Sequence, residues 1–199
     1  TVDINGGTAT DGSDTVTFTT TESAIGTSAA DTMTGDGNDN SFTGNGGNDT
    51  LSGAAGMDTL LGGSGNDMLT GGADDDLIQG GTGTDAIVGG TGNDTLQGGS
   101  GDDTYTYDAG DDADTVQDSA GSGDIIDFSG SFDTTDATFT AVDGDDSDMF
   151  FDRLLIDFGS GDTVTIVGYF GNTTDDISDL TPGFGQIESL VFGDETLDF

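Results

Sequence analysis

Residues 62–106 read GGSGNDMLT, GGADDDLIQ, GGTGTDAIV, GGTGNDTLQ and GGSGDDTYT, five consecutive units of nine residues. Each opens on glycine, carries aspartate sixth and a large apolar residue eighth. The register runs back to Gly26 without a gap through GTSAADTMT, GDGNDNSFT, GNGGNDTLS and GAAGMDTLL, so nine units end at Thr106. The sixth position is Asp31, Asp49, Asp58, Asp67, Asp76, Asp85, Asp94 or Asp103 in eight units and Asn40 in the other. The eighth is Met33, Phe42, Leu51, Leu60, Leu69, Ile78, Ile87, Leu96 or Tyr105. A Gly/Asp-rich tract without period is a solvated linker. An apolar eighth position in nine units is instead the mark of stacked repeats.

One apolar residue between outward-facing neighbours predicts a very short strand whose middle side chain points inward. The six residues before it predict a turn, where glycine supplies positive φ and lets backbone approach an ion. A single unit cannot bury its apolar residue, but stacked coils place those residues in ladders and make a thin continuous core. Two units form one coil of turn, strand, turn, strand, so each turn stacks on its second neighbour. Asp49, Asp67, Asp85 and Asp103 then line one edge, and Asp58, Asp76 and Asp94 the other. Carboxylates repeating about every 5 Å repel one another unless a cation lies between them. Oxygen donors without nitrogen or sulfur suit calcium; magnesium fits less well, because it demands a rigid octahedron and keeps its waters. Nine turns leave at most four gaps on one edge and three on the other. Residues 26–106 hold 13 acids and no base, a charge that seven calcium ions would match to within one. About four to seven ions are expected.

The whole chain of 199 residues sets 40 acids against one base, Arg153, for a net charge of −39. Leu, Ile, Val and Phe make up about a fifth of it, the level at which a strongly charged chain stays disordered. Folding is therefore expected to wait for a neutralising cation. Histidine and cysteine are absent, which excludes Ser-His-Asp and Cys-His catalysis, His-ligated zinc, haem and thiolate chemistry. Nucleic acid and anionic membranes repel such a chain. No apolar run approaches the roughly 18–20 residues of a membrane span. The start, Thr1-Val2-Asp3, has no basic-then-apolar leader; the expectation is a piece of a longer protein without an N-terminal export signal of its own.

The pattern GGxGxDxUx, with U large and apolar, resembles the calcium-binding nonapeptide of the repeats-in-toxin (RTX) family over Gly26–Thr106. GGSGNDMLT, GGTGTDAIV, GGTGNDTLQ and GGSGDDTYT match it throughout. The resemblance implies a right-handed parallel β-roll, an extracellular location and export by a type I secretion machine. It also implies calcium held by turn carbonyls and the sixth-position aspartate. Carried over by position, the ligand set is Gly62, Gly63, Gly65 and Asp67; Gly80, Gly81, Gly83 and Asp85; Gly89, Gly90, Gly92 and Asp94; and Gly98, Gly99, Gly101 and Asp103. Asp49, Asp58 and Asp76 are their partners. Ala29 and Asn38 replace the fourth-position glycine, Asn40 replaces aspartate, and Asp74 stands where glycine is expected, so the first two turns and the Gly71–Asp76 turn depart from the pattern.

The expected architecture is all-β. A capping strand (Thr15–Thr19) lies within 1–25, the calcium-filled roll spans 26–106, degenerate turns occupy 107–128, and a β-rich cap covers 129–199. Asp112, Asp114 and Asp118, and the run Gly121–Phe128, read as worn-down further turns, with Asp112 and Asp114 as added metal candidates. In the cap, Ala137–Val142, Phe150–Phe158, Thr163–Phe170 and Ile187–Phe192 read as strands, and Gly159-Ser160-Gly161-Asp162 as a hairpin turn. The stretches LLIDFGSGDTVTIVGYF and IESLVFGDETLDF resemble the region that follows such repeats in secreted family members, where it implies a cap and an uncleaved export signal. Asp143–Asp148 superficially resembles an EF-hand loop but lacks glycine at loop position six and glutamate at twelve. The GxGxxG-like strings precede no helix, and no two carboxylates stand out as a catalytic pair. The expected function is a monomeric, non-catalytic calcium-binding module that folds after secretion. The alternative is a calcium-dependent adhesion or polysaccharide-binding module.

Overall fold

The computed structural model describes residues 15–17, 23–118, 120–121, 123–128, 130–132, 137–142, 151–159, 161–170, 187–193 and 196–198. The acidic run 143–148 and residues 18–19 lie outside these. The strands are β1 (Thr15–Thr17), β2 (Ser23–Ile25), β3 (Thr32–Thr34), β4 (Ser41–Gly46), β5 (Thr50–Ala55), β6 (Thr59–Ser64), β7 (Met68–Ala73), β8 (Leu77–Thr82) and β9 (Ala86–Thr91). They continue as β10 (Thr95–Ser100), β11 (Thr104–Thr106), β12 (Ala113–Gln117), β13 (Asp124–Asp127), β14 (Thr138–Val142), β15 (Phe151–Asp157), β16 (Thr163–Phe170), β17 (Ile187–Val191) and β18 (Thr196–Asp198). Helix is absent among the described residues.

From β1 to β13 successive strands alternate between two sheets. One runs β1-β3-β5-β7-β9-β11-β13-β17-β18 and the other β14-β15-β16-β12-β10-β8-β6-β4-β2. This is the parallel β-roll that the nine-residue period predicts, with two units per coil. Every strand–turn–strand step crosses to the opposite sheet, so a strand pairs with the one 18 residues on: Leu60 with Ile78, and Leu69 with Ile87. The eighth-position residues form two facing rows between the sheets. Phe42, Leu60, Ile78, Leu96, Val116 and Ile166 make one row, and Met33, Leu51, Leu69, Ile87, Tyr105, Ile126 and Leu190 the other, all buried. Each such aliphatic side chain contributes roughly 1.5–3 kcal/mol relative to exposure.

The strands are longer than one apolar residue and its neighbours. β8 continues past Ile78 through Gly80 and Gly81 to Thr82, in register with β6 and β10. Glycines at positions one and two bring no side chain between the coils, so their backbone joins the ladder. Only positions four to six are left to turn. At the other end of the roll, Ser23–Ile25 enters the same register, Ala24 beside Phe42, and β1 sets Val16 beside Met33.

Besides glycines, Asn45, Ala54, Asp74 and Asp112 stand in the left-handed region where glycine is favoured. Gly83 has φ 127°, and a Cβ there would run into the Gly65 carbonyl one coil away. Ala54 holds φ 89° and Asp74 φ 75° in units that lack glycine at that position. An L-residue in this region is strained by roughly 1–2 kcal/mol. Ala54→Gly is therefore expected to stabilise the roll by about 1 kcal/mol, raising the calcium-saturated melting temperature by about 2–4 °C, as read by calorimetry.

The C-terminal segment closes the roll by extending both sheets. β16 adds in parallel to β12, Ile166 beside Val116, and β17 to β13, Leu190 beside Ile126. Antiparallel β15 and β14 then follow β16, and β18 follows β17. The expected strands and the Gly159–Asp162 hairpin are all present; there the Asp162 N–H donates to the Gly159 carbonyl at 3.1 Å. Between the sheets at this end sits an aromatic group. Phe128 lies 5.0 Å from both Phe158 and Phe192, and Phe132 stacks on Phe158 at 3.9 Å between centroids. Rings fill the space that single Leu and Ile rows fill elsewhere.

Candidate metal centre

Each sixth-position aspartate sits at the end of a turn, one residue before a strand. From Asp49 and Asp58 onward, its Oδ1 accepts the backbone N–H of the equivalent residue one coil earlier. On one edge this ladder runs Asp31, Asp49, Asp67, Asp85, Asp103, Asp124 at 2.7–2.8 Å. On the other it runs Asn40, Asp58, Asp76, Asp94, Asp114 at 2.6–2.9 Å. The nine-residue count breaks after Thr106, yet the ladder does not: its last steps span 20 and 21 residues instead of 18.

The second oxygen behaves differently. Oδ2 of Asp49, Asp58, Asp67, Asp76, Asp85, Asp94 and Asp103 is buried and receives no hydrogen bond. Each lies beside a first-position glycine, and those of Asp49, Asp67, Asp76 and Asp85 share the space that this glycine leaves open with a carbonyl of the next coil. A Cβ on Gly62 would meet Asp67 Oδ2 and, at 2.6 Å, the Gly80 carbonyl. Gly71 stands in the same relation to Asp76 Oδ2 and the Gly89 carbonyl, and Gly80 to Asp85 Oδ2 and the Gly98 carbonyl, each carbonyl at 2.7 Å. First-position glycine is thus required by space, not by φ. Buried oxygens with no donor, a cradle that a methyl group would fill and an all-oxygen donor set together fit a hard dication such as calcium.

The residues expected from sequence fall into this scheme as follows. Gly62, Gly80, Gly89 and Gly98 line the cradles from the strands. Gly63, Gly81, Gly90 and Gly99 have φ of 103–116°, and Gly65, Gly83, Gly92 and Gly101 φ of 126–135°. Asp114 stands in the ladder, 2 % exposed. Asp112 does not: its side chain is exposed, and its carbonyl accepts the Tyr107 hydroxyl. Its neighbour Asp111 is the buried one, accepting the Asp108 N–H at 2.6 Å. The first turn is partly self-satisfied, since Asp31 Oδ2 accepts the Thr27 N–H at 2.6 Å and its hydroxyl at 3.0 Å. Asp124, fully buried and in the ladder, was not among the expected ligands; the signal for it was the run Gly123-Asp124-Ile125-Ile126, obscured by an insertion.

Without a cation, burial makes charge costly along both rows. Burial first, then repulsion from Asp94, Asp58 and Asp74, pushes Asp76 up to about 7 against the backbone hydrogen bond from Asp58. Asp49, Asp58, Asp85, Asp94 and Asp103 are pushed to about 6 and Asp114 to about 8, burial again leading. These folded-state values lie above the ordinary aspartate value of about 3.9. The calcium-free fold therefore keeps its full stability below about pH 4 and loses it as pH rises through about 6 to 8. In chelator, acidification to pH 4 is expected to restore β-structure that is missing at pH 7, a change read by far-UV circular dichroism. With calcium, proton competition is expected to weaken binding as pH falls through the same range.

Residues 25–60, 52–87 and 79–114 match the RTX calcium-binding nonapeptide repeat (4 copies). With the repeat register, the two-sheet roll and the buried aspartate rows, this stretch belongs to the RTX family of calcium-binding β-rolls. No curated protein matches the chain.

Proposed function

We propose that the chain is a calcium-operated folding module of a larger exported protein, non-catalytic in itself. Residues 26–106 take calcium, 107–128 are degenerate turns, and 129–199 cap the roll and carry the export signal. The seven buried Oδ2 atoms, each facing space beside a first-position glycine, carry this reading. In low cytosolic calcium the module stays open and can be threaded through a secretion channel. At the millimolar calcium of the extracellular medium the weak oxygen sites fill and the coils stack. Growth from the C-terminal cap is favoured, because the aromatic group and the antiparallel strands there need no cation to pack.

Equilibrium dialysis with radioactive calcium tests the module directly. Four to seven ions per chain at millimolar calcium are expected, with cooperative uptake. One ion or none would overturn the proposal.

A further inference from the structure

We propose that the last divalent-cation site of the roll, the one that Asp103 Oδ2 faces, is of different make from the others: it is formed by the carboxylates of Asp103, Asp118 and Asp124 and organised by Tyr105. It deepens the reading above, on which it rests for the identity of the ion, and it lies partly beyond the matched repeats.

Asp118 follows Gln117 as Gly98 follows Gln97 and Gly80 follows Gln79, so it occupies the first position, which is glycine in all nine repeats. In the repeats a side chain at this position would strike the unit's own sixth residue and, at Gly62, Gly71 and Gly80, a carbonyl of the next coil as well. Here the interval to the ladder aspartate is six residues, Asp118 to Asp124, against five from Gly98 to Asp103. The carboxylate can thus be used as a ligand in place of a bare backbone.

Tyr105 replaces the Leu or Ile of the eighth position and reaches across the core. Its hydroxyl accepts the Gly98 N–H and donates to Asp118 Oδ2, both at 2.6 Å. Asp103 is fully buried, and its Oδ2 receives no hydrogen bond. A Cβ on Gly98 would meet both this oxygen and the Tyr105 hydroxyl, so the orphaned oxygen points into the same space as Asp118. Ligand atoms of Asp103, Asp118 and Asp124 all lie within 4.8 Å of one another. Oxygens about 2.3–2.6 Å from one calcium can be no more than about 5 Å apart. The three carboxylates meet that limit. Tyr105 is a positioning residue: its proton fixes Asp118 Oδ2, while Asp118 Oδ1 accepts the Ala120 N–H at 3.3 Å, so the carboxylate is held from both oxygens beside Asp103 and Asp124.

Terbium, a luminescent substitute for calcium, reads this site selectively because it is excited through nearby tyrosine. The chain has three tyrosines and no tryptophan. Wild-type chain loaded with terbium is expected to show tyrosine-sensitised emission that falls several-fold in Tyr105→Phe. Asp118→Asn, whose amide oxygen still accepts from Tyr105, is expected to lose the same emission and bind one calcium fewer by equilibrium dialysis while keeping its β spectrum. Unchanged emission in Tyr105→Phe, or an unchanged calcium count and emission in Asp118→Asn, would overturn the site. If Asp118→Asn does not fold, the Tyr105→Phe comparison decides. Wild-type chain that takes up no calcium at all would instead sink the function proposed for the repeats.

Discussion

At neutral pH in excess chelator the chain is expected to scatter X-rays as an unfolded polymer, with a radius of gyration of about 48 Å, where a compact chain of this length would give about 16 Å. The buried Oδ2 atoms of Asp49, Asp58, Asp67, Asp76, Asp85, Asp94 and Asp103, on two stacked rows, have no donor. An uncompensated buried ion costs several kcal/mol, so even two or three ionised aspartates consume the roughly 5–15 kcal/mol by which a domain exceeds its unfolded state. Opposing this is a core one side chain thick, in a chain carrying 39 net negative charges. The carboxylates win. Restoring calcium should recover the compact form; a compact radius in chelator would show that the aspartate rows are stable by themselves.

The second large effect is expected from one methyl group. Gly80→Ala places a Cβ against Asp85 Oδ2 and 2.7 Å from the Gly98 carbonyl, where a cation would lie between two coils. Backbone is on one side and a buried carboxylate on the other, so neither yields cheaply. Overpacking of this kind costs roughly 1–3 kcal/mol, before any loss of calcium. At least one ion fewer and a tenfold or greater drop in apparent affinity are expected by calorimetry. Gly37→Ala is the matched control: nothing lies within 4 Å of its added Cβ, and it should change stability by less than about 0.5 kcal/mol. Equal effects from the two substitutions would refute the role assigned to first-position glycine.

The period was the most legible feature. Glycine first, aspartate sixth and an apolar eighth residue determine which strands pair, which side chains face inward and which carboxylates stack. The cap strands and the Gly159–Asp162 turn were also readable, from alternation and turn chemistry. Strand length was not. Gly80 and Gly81 read locally as turn residues, but backbone pairing with the coils on either side holds them in β8. The reason for first-position glycine was equally hidden, since exclusion of a methyl group depends on an oxygen one coil away. Insertions hid Asp124, because two added residues before Asp114 and one before Asp124 break the count while the hydrogen-bond ladder absorbs them. Choosing between Asp111 and Asp112 depended on the φ of 64° at Asp112, which turns that side chain outward.

Far-UV circular dichroism during a calcium titration at neutral pH and low salt, with magnesium as control, tests the coupling of calcium to folding most directly. A coil spectrum in chelator, a cooperative rise of β signal with calcium and none with equal magnesium are predicted. A complete β spectrum in chelator, or an equal response to magnesium, would contradict it.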